Sequence, residues 1–406
     1  MLFTLAACGS KQAETPDITP APESSFDAET PINVMVLNGT TGFGMAKLMD
    51  ETQRGDAALN YQFSVESDAS NVTAALVNGT ADIAALPTNA ASVIYNKTNG
   101  GVQLLALNTR GVLYLVSDGS IPVDSFDSLK GQTVYVPAQN PTFIFRYLCE
   151  QNGLTVGEDI FIDNSYAQPA DLRTAVASGA VSLAVLPEPM VTIAESSNDS
   201  LSTVMNLTEE WDKIAPAGSL VQGCVVVRTE FAQAHPDEVR KFLEEYENSI
   251  ALLSENAADA GAVIESTGVF AKGAVAAKAL PNCNVCFVTG EEMKTAMSDF
   301  LQIMYDLEPN SIGGKLPGDD VAVVYPLVFP RACPGVLAAH LRHGKPRDER
   351  DTALLRKFVP LVKRGLVGRC RILKAVVYLR SHDIRVARRG APFAHVRVKL
   401  IVIVLD

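Results

Sequence analysis

The residues best suited to chemistry cluster in a few polar stretches. Asn38-Gly-Thr-Thr-Gly-Phe-Gly44 is rich in glycine and hydroxyls, but it matches neither dinucleotide nor P-loop spacing and lacks a phosphate-cradling lysine. At a helix start it presents backbone N–H groups and the positive end of the helix dipole to an anionic or strongly polar group. Its simpler reading is a capped tight turn. Further on, Gln139, Asn140, Thr142, Tyr166 and Glu188 supply donors, acceptors and one carboxylate. Glu188 suits an amine or ring N–H; its alternative role is to complement the charge of a helix N-terminus. This is the chemistry of solute recognition. No Ser/His/Asp or metal-ligand cluster accompanies it, His235 is the one histidine before residue 326, and Cys283-Asn-Val-Cys286 is an isolated CxxC. A cofactor and a metal are therefore not expected.

Two repeated stretches position these residues. Ala75–Ala90 and Ala175–Met190 align at a constant offset, pairing Gly79 with Gly179, Leu86 with Leu186 and Pro87 with Pro187. Each copy predicts a helix closed by glycine, a short apolar strand, and a Leu-Pro loop opening the next helix. Upstream, Val34–Gly42 and Val134–Thr142 each read as an apolar strand entering a polar loop. Strand and helix alternate twice, predicting parallel sheets with right-handed crossovers, in which ligands bind beyond the carboxyl ends of the strands. Those ends are the loops at Asn38, Pro87, Pro137 and Pro187. Two lobes facing each other across them would form a cleft. Asn108-Thr-Arg-Gly111 breaks two apolar runs and suits a hinge; Gly223–Arg228 suits the return strand. The stripes after His235 and after Gly290 (Met297, Phe300, Leu301, Met304) read as core packing lobe one.

The chain has 406 residues, 47% of them hydrophobic, enough for two lobes. Residues 1–325 hold 16 Lys+Arg against 41 Asp+Glu, which argues against nucleic acid as a partner. Residues 326–406 reverse this, with 18 against 5. Leu5-Ala-Ala-Cys8 looks like a bacterial lipobox, predicting lipidation of Cys8, a body outside the cytoplasm, and a signal that begins upstream of Met1. The Pro-, Glu- and Ser-rich stretch after it reads as a disordered tether. No stretch of about 18 apolar residues is present, so a lipid would be the only membrane anchor.

In order along the chain, Val36–Lys47, Gly79–Ala84, Asn108–Tyr114, Asp127–Gly131, Val185–Pro189, Ala279–Cys283 and Ser311–Gly318 resemble the substrate-binding proteins of ABC importers. The resemblance covers roughly residues 31 to 320 and is to the branch of sulfonate, nitrate and thiamine-precursor binders. It implies a bilobed α/β fold of the periplasmic-binding-protein type (type II), with doubly wound lobes on a two-strand hinge. It also implies closure on a small ligand and delivery to an ABC permease and its ATPase. The family pattern places ligand contacts at Asn38, Gly39, Thr40, Thr41 and Gly42, at Pro87, Thr88 and Asn89, and at Glu188. The expected organisation is a lipobox at 1–8, a tether at 9–30, lobe one at 31–115 plus 224–320, lobe two at 116–223, and an out-of-frame or non-native tail at 321–406. The expected ligand is small, polar and organic, sulfonate-like or pyrimidine-like. Enzymes of the same fold, a menaquinone-pathway lyase or a pyrimidine synthase, are the alternative, with an extracytoplasmic sensor as a third.

Overall fold

The computed structural model describes residues 26–322 and short backbone segments at 377–378, 382–386, 394–398 and 401–402. The Cys8 lipobox, the tether as far as Ser25 and most of the tail lie outside the described residues. The chain forms two compact units, Met1–Pro326 and Leu327–Asp406. In the second, Val377–Tyr378 pairs with Ile401–Val402 and His382–Val386 with Ala394–Val398, both antiparallel.

The first unit begins with β1 (Pro31–Leu37), α1 (Thr40–Phe43), α2 (Ala46–Arg54), β2 (Asn60–Glu66), α3 (Ala69–Asn78), β3 (Ile83–Pro87), α4 (Thr88–Thr98) and β4 (Val102–Arg110). The chain then enters a second sheet through β5 (Leu113–Ser117), β6 (Thr133–Tyr135), α5 (Asn140–Gln151), β7 (Phe161–Asp163), α6 (Pro169–Ala177), β8 (Leu183–Pro187), α7 (Met190–Ser197), β9 (Ser202–Asn206) and α8 (Leu207–Ile214). It returns on β10 (Val221–Arg228) and finishes with α9 (Thr229–Ala234), α10 (Pro236–Glu255), α11 (Ala257–Ser266), α12 (Gly273–Ala279), β11 (Val285–Val288) and α13 (Gly290–Leu307).

The strands form a six-stranded sheet, β11-β4-β10-β3-β1-β2, and a five-stranded sheet, β7-β6-β8-β5-β9. The repeated segments match in detail. β3 and β8 are apolar throughout and buried in the same pattern, as strands covered on both faces require. Gly79 (φ 75°) and Gly179 (φ 77°) both take the left-handed conformation that ends the preceding helix.

Two expectations needed correction. The sheets are mixed: β1 runs parallel to β2 and β3, and β6 to β7 and β8, but β10 and β5 are antiparallel to their neighbours. Strands leaving or re-entering a lobe next to the hinge run against those wound within it. Moreover, α13 packs both lobes. Phe300 lies 6.1 Å from the ring of Trp211 on α8, which in turn lies 5.0 Å from Tyr147 on α5. Trp211 is buried and its Nε1–H donates to Ser219 Oγ at 2.8 Å. Arg146 on α5 donates to Leu307 O at 2.6 Å, capping the end of α13.

Candidate functional site

The loops after β1, β2 and β3 meet those after β6 and β8 across the gap between the sheets. The first contact joins the predicted residues directly. Thr40, the first residue of α1, donates from Oγ1 to the backbone oxygen of Glu188 at 2.8 Å, and both residues are buried. Beside it, Tyr114 Oη–H on β5 donates to Asn282 O at 2.8 Å. Lys278 Nζ on α12 donates to Ser196 Oγ on α7 at 3.1 Å. Asn284 holds the hinge, accepting from Arg110 N–H at 3.1 Å and donating from Nδ2 to Gly111 O at 2.5 Å. The segment from α12 to β11 thus clasps the lobes together alongside the hinge.

Away from the clasp, a cleft of about 630 Å³ remains between the lobes. Asp68, Asn89 and Lys97 line it from one lobe, Gln139 and Phe143 from the other, and Glu308 from the end of α13. Its volume is that of a small-molecule pocket. Of the residues singled out in the sequence, Asn89 and Gln139 face this cleft. Gln139, exposed at the start of α5, has φ 65°, a left-handed backbone that a non-glycine residue adopts only when its surroundings hold it there.

Other predicted residues have internal partners. The N–H groups of Asn38 and Gly39 donate to Glu66 O and Val269 O at 2.8 and 3.2 Å, so neither is free for an anion. Thr41 O accepts from Asn108 Nδ2 at 3.0 Å, which ties the first loop to the end of β4. A Cβ on Gly42 would sit 2.4 Å from Leu37 O, so this glycine permits close packing. Pro87 ends β3 opposite Gly223, and buried Thr88 donates to Val221 O at 2.7 Å. Thr142 donates to Pro137 O at 2.7 Å, and half-buried Tyr166 packs 6.0 Å from Tyr135. Asn140 is buried at the first turn of α5, and its Oδ1 has no hydrogen-bond partner.

Glu188 takes the helix-capping role, one of the two readings its sequence position offers. Its carboxylate accepts from Thr192 N–H at 3.1 Å and Thr192 Oγ1 at 3.0 Å. It caps its own helix, α7. Burial raises its pKa, against the lowering effect of hydrogen bonds from Thr192 and Asn282. The CxxC cysteines are free thiols. Burial pushes Cys283 up to about 12 and Cys286 to about 11, so neither is a thiolate at neutral pH. Among the described residues no group of three or more His, Cys, Asp or Glu is placed to hold a metal ion. None of the described helices is long and apolar enough to cross a membrane.

Sequence reasoning missed Asp68, Tyr114 and Asn282. The Ala279–Cys283 stretch carried a family resemblance, but nothing local revealed that Asn282 would meet Tyr114, 168 residues away.

A family model described as NMT1/THI5 like matches residues 55–260, about half of the chain. The chain belongs to the NMT1/THI5-like family. Comparison with curated protein sequences returns no match. Among solved structures, the chain is similar to an ABC transporter protein from Parabacteroides distasonis, with 23% identity, 74% of this chain and 100% of that one covered, and a TM-score of 0.62. The periplasmic aliphatic sulphonate binding protein SsuA from Escherichia coli gives 14% identity, coverage of 72% and 95%, and 0.58. The ligand-binding component of an ABC-type import system from Staphylococcus aureus gives 12%, 73% and 97%, and 0.56. At these identities the likeness is one of fold: this NMT1/THI5-like chain has the bilobed α/β fold of periplasmic binding proteins.

Proposed function

We propose that this chain is the extracytoplasmic solute-binding component of an ABC importer. It captures a small polar organic molecule between its lobes and delivers it to a membrane permease driven by an ATPase. The observation that carries the reading is the direct Thr40–Glu188 bond across the lobes, with an open cleft between the same lobes away from it. Loops from opposite sheets that touch in this way can close on a solute and open again about the Arg110–Val112 hinge. Family membership and the importer proteins among the structural neighbours support the same reading.

In this reading Asn89 and Gln139 contact the ligand in the cleft. Asn38, Thr41, Asn140 and Tyr166 come into reach when the lobes part, and Gly39, Thr40, Gly42, Pro87, Thr88, Thr142 and Glu188 shape the walls. The chain acts without cofactor or metal and performs no reaction. A lipid on Cys8 tethers it to the outer face of the cell membrane, and residues 321–406 lie beyond the family's extent. Enzymatic members of the family are the rival reading. The buried, protonated thiols at Cys283 and Cys286 weigh against a cysteine nucleophile.

Small-angle scattering with a solute panel tests the proposal. A bound solute should lower the radius of gyration and raise the melting temperature together. Turnover of a bound compound, or stabilisation without any change in dimensions, would refute it.

A further inference from the structure

Four carboxylates stand on the six loops at the carboxyl ends of β1, β2, β3, β6, β7 and β8: Glu66, Asp68, Asp163 and Glu188. The same loops (38–44, 66–70, 87–90, 137–142, 163–168 and 187–190) contain no lysine or arginine. The cleft itself adds Glu308, and among the described residues its one cationic lining residue is Lys97, exposed in the last turn of α4. Arg146, behind Phe143 at 6.0 Å, is already engaged by Leu307 O and by Glu150 at 3.6 Å.

Of the helix ends at these loops, those of α3 and α7 are occupied by carboxylates, whereas those of α4 and α5 have no side-chain cap. Asp68 accepts from Ser70 N–H at 2.8 Å and caps α3. Glu188 caps α7 through Thr192. The first-loop N–H groups of Asn38 and Gly39 are spent on Glu66 O and Val269 O. Hydrogen bonds from Ser70 and Ser165 hold the Asp68 and Asp163 carboxyls below their ordinary range, so both are charged at neutral pH. Bringing a sulfonate into such a cleft would set its charge against Asp68 and Glu308 while stripping its water. A cation is drawn in by the same field and finds acceptors on Asn89 and Gln139, with the Phe143 ring as an apolar wall.

We infer that the cleft selects a small organic cation, an ammonium or amidinium on a compact apolar body, and rejects organic anions. The inference rests on the solute-capture reading for the identity of the site, but its test needs no ligand.

In the full-length chain, Asn89→Cys places a thiol in the cleft and Val77→Cys places one on the exposed face of α3 as a control. Each variant is treated with a trimethylammonium-ethyl and a sulfonato-ethyl methanethiosulfonate, and labelling is followed peptide by peptide by mass spectrometry. At position 89 the ratio of cationic to anionic rates should exceed that at position 77 by fivefold or more. Asp68→Asn with Glu308→Gln should bring it back toward the control, because asparagine retains the cap while losing the charge. A ratio at position 89 less than fivefold above the control overturns the inference, and so does submicromolar capture of any organic sulfonate. If Asn89→Cys does not fold, Gln139→Cys carries the same comparison. If the lobes close on no solute while the ratio holds, the importer reading fails and the charge selectivity of the cleft stands.

Discussion

Thr40→Val isolates the bond that joins the lobes. Valine keeps the shape of threonine and removes only the hydroxyl that donates to Glu188 O at 2.8 Å. When the lobes part, water satisfies both groups, so the loss is felt in the closed state alone. A neutral hydrogen bond contributes a net of about 1 kcal/mol, but where its loss leaves a buried carbonyl without a donor the cost is about 1–3 kcal/mol instead. Closure should therefore weaken by about 1–3 kcal/mol, a shift of about five- to 150-fold toward the open form. Cys283 reports the change, because its buried Sγ lies 3.8 Å from Thr40 Oγ1. Alkylation of Cys283 in the solute-free variant should accelerate by at least about fivefold, with a larger radius of gyration by scattering. Labelling of Cys149 and Cys224, buried inside single lobes, should not change. Unchanged labelling at Cys283, or an equal rise at all three thiols, would refute the view that this bond holds the lobes.

Glu188→Gln tests the buried carboxylate. Burial raises its folded pKa above the unfolded value, so the stability tied to its proton is fully present below the unfolded pKa and is lost as pH rises through the folded one. The glutamine variant should melt higher than the parent at pH 7, and the gap should close toward pH 4; a gap independent of pH would count against this. Gly42→Ala forces a Cβ to within 2.4 Å of Leu37 O and should destabilise the chain by about 1–3 kcal/mol in denaturant titration, whatever the ligand. Thr88→Val removes the bond to Val221 O at 2.7 Å and should lower stability by about 1–3 kcal/mol, with cleft affinity changed by less than threefold. A larger loss of affinity would place that hydroxyl on the ligand. Tyr114→Phe, which deletes the bond to Asn282 O, should raise Cys283 labelling about threefold to tenfold, the counterpart of about 1 kcal/mol.

Much of the fold could be read locally. Gly79 and Gly179 ended helices, and the all-apolar Ile83–Leu86 and Leu183–Leu186 became doubly covered strands, because these preferences act within a few residues. The strand at Asn60–Glu66, in which Tyr61, Phe63 and Val65 alternate with polar residues, lies at the edge of its sheet. The antiparallel entry of β10 and the reach of α13 into both lobes were not legible, since each depends on partners far along the chain.

The division is sharper at the site. The sequence alone determined that the loops at Asn38, Pro87, Pro137 and Pro187 lie at the carboxyl ends of strands, that they are polar, and that they come in matched pairs. Only the tertiary structure decided which of their groups remain free. Thr40 meets Glu188 across 148 residues and Thr88 meets Val221 across 133, while the Glu188 carboxylate turns back to its own helix at Thr192. A polar side chain in a loop takes whichever buried partner the packing brings within about 3 Å, and that is settled when two sheets and the helices between them come together.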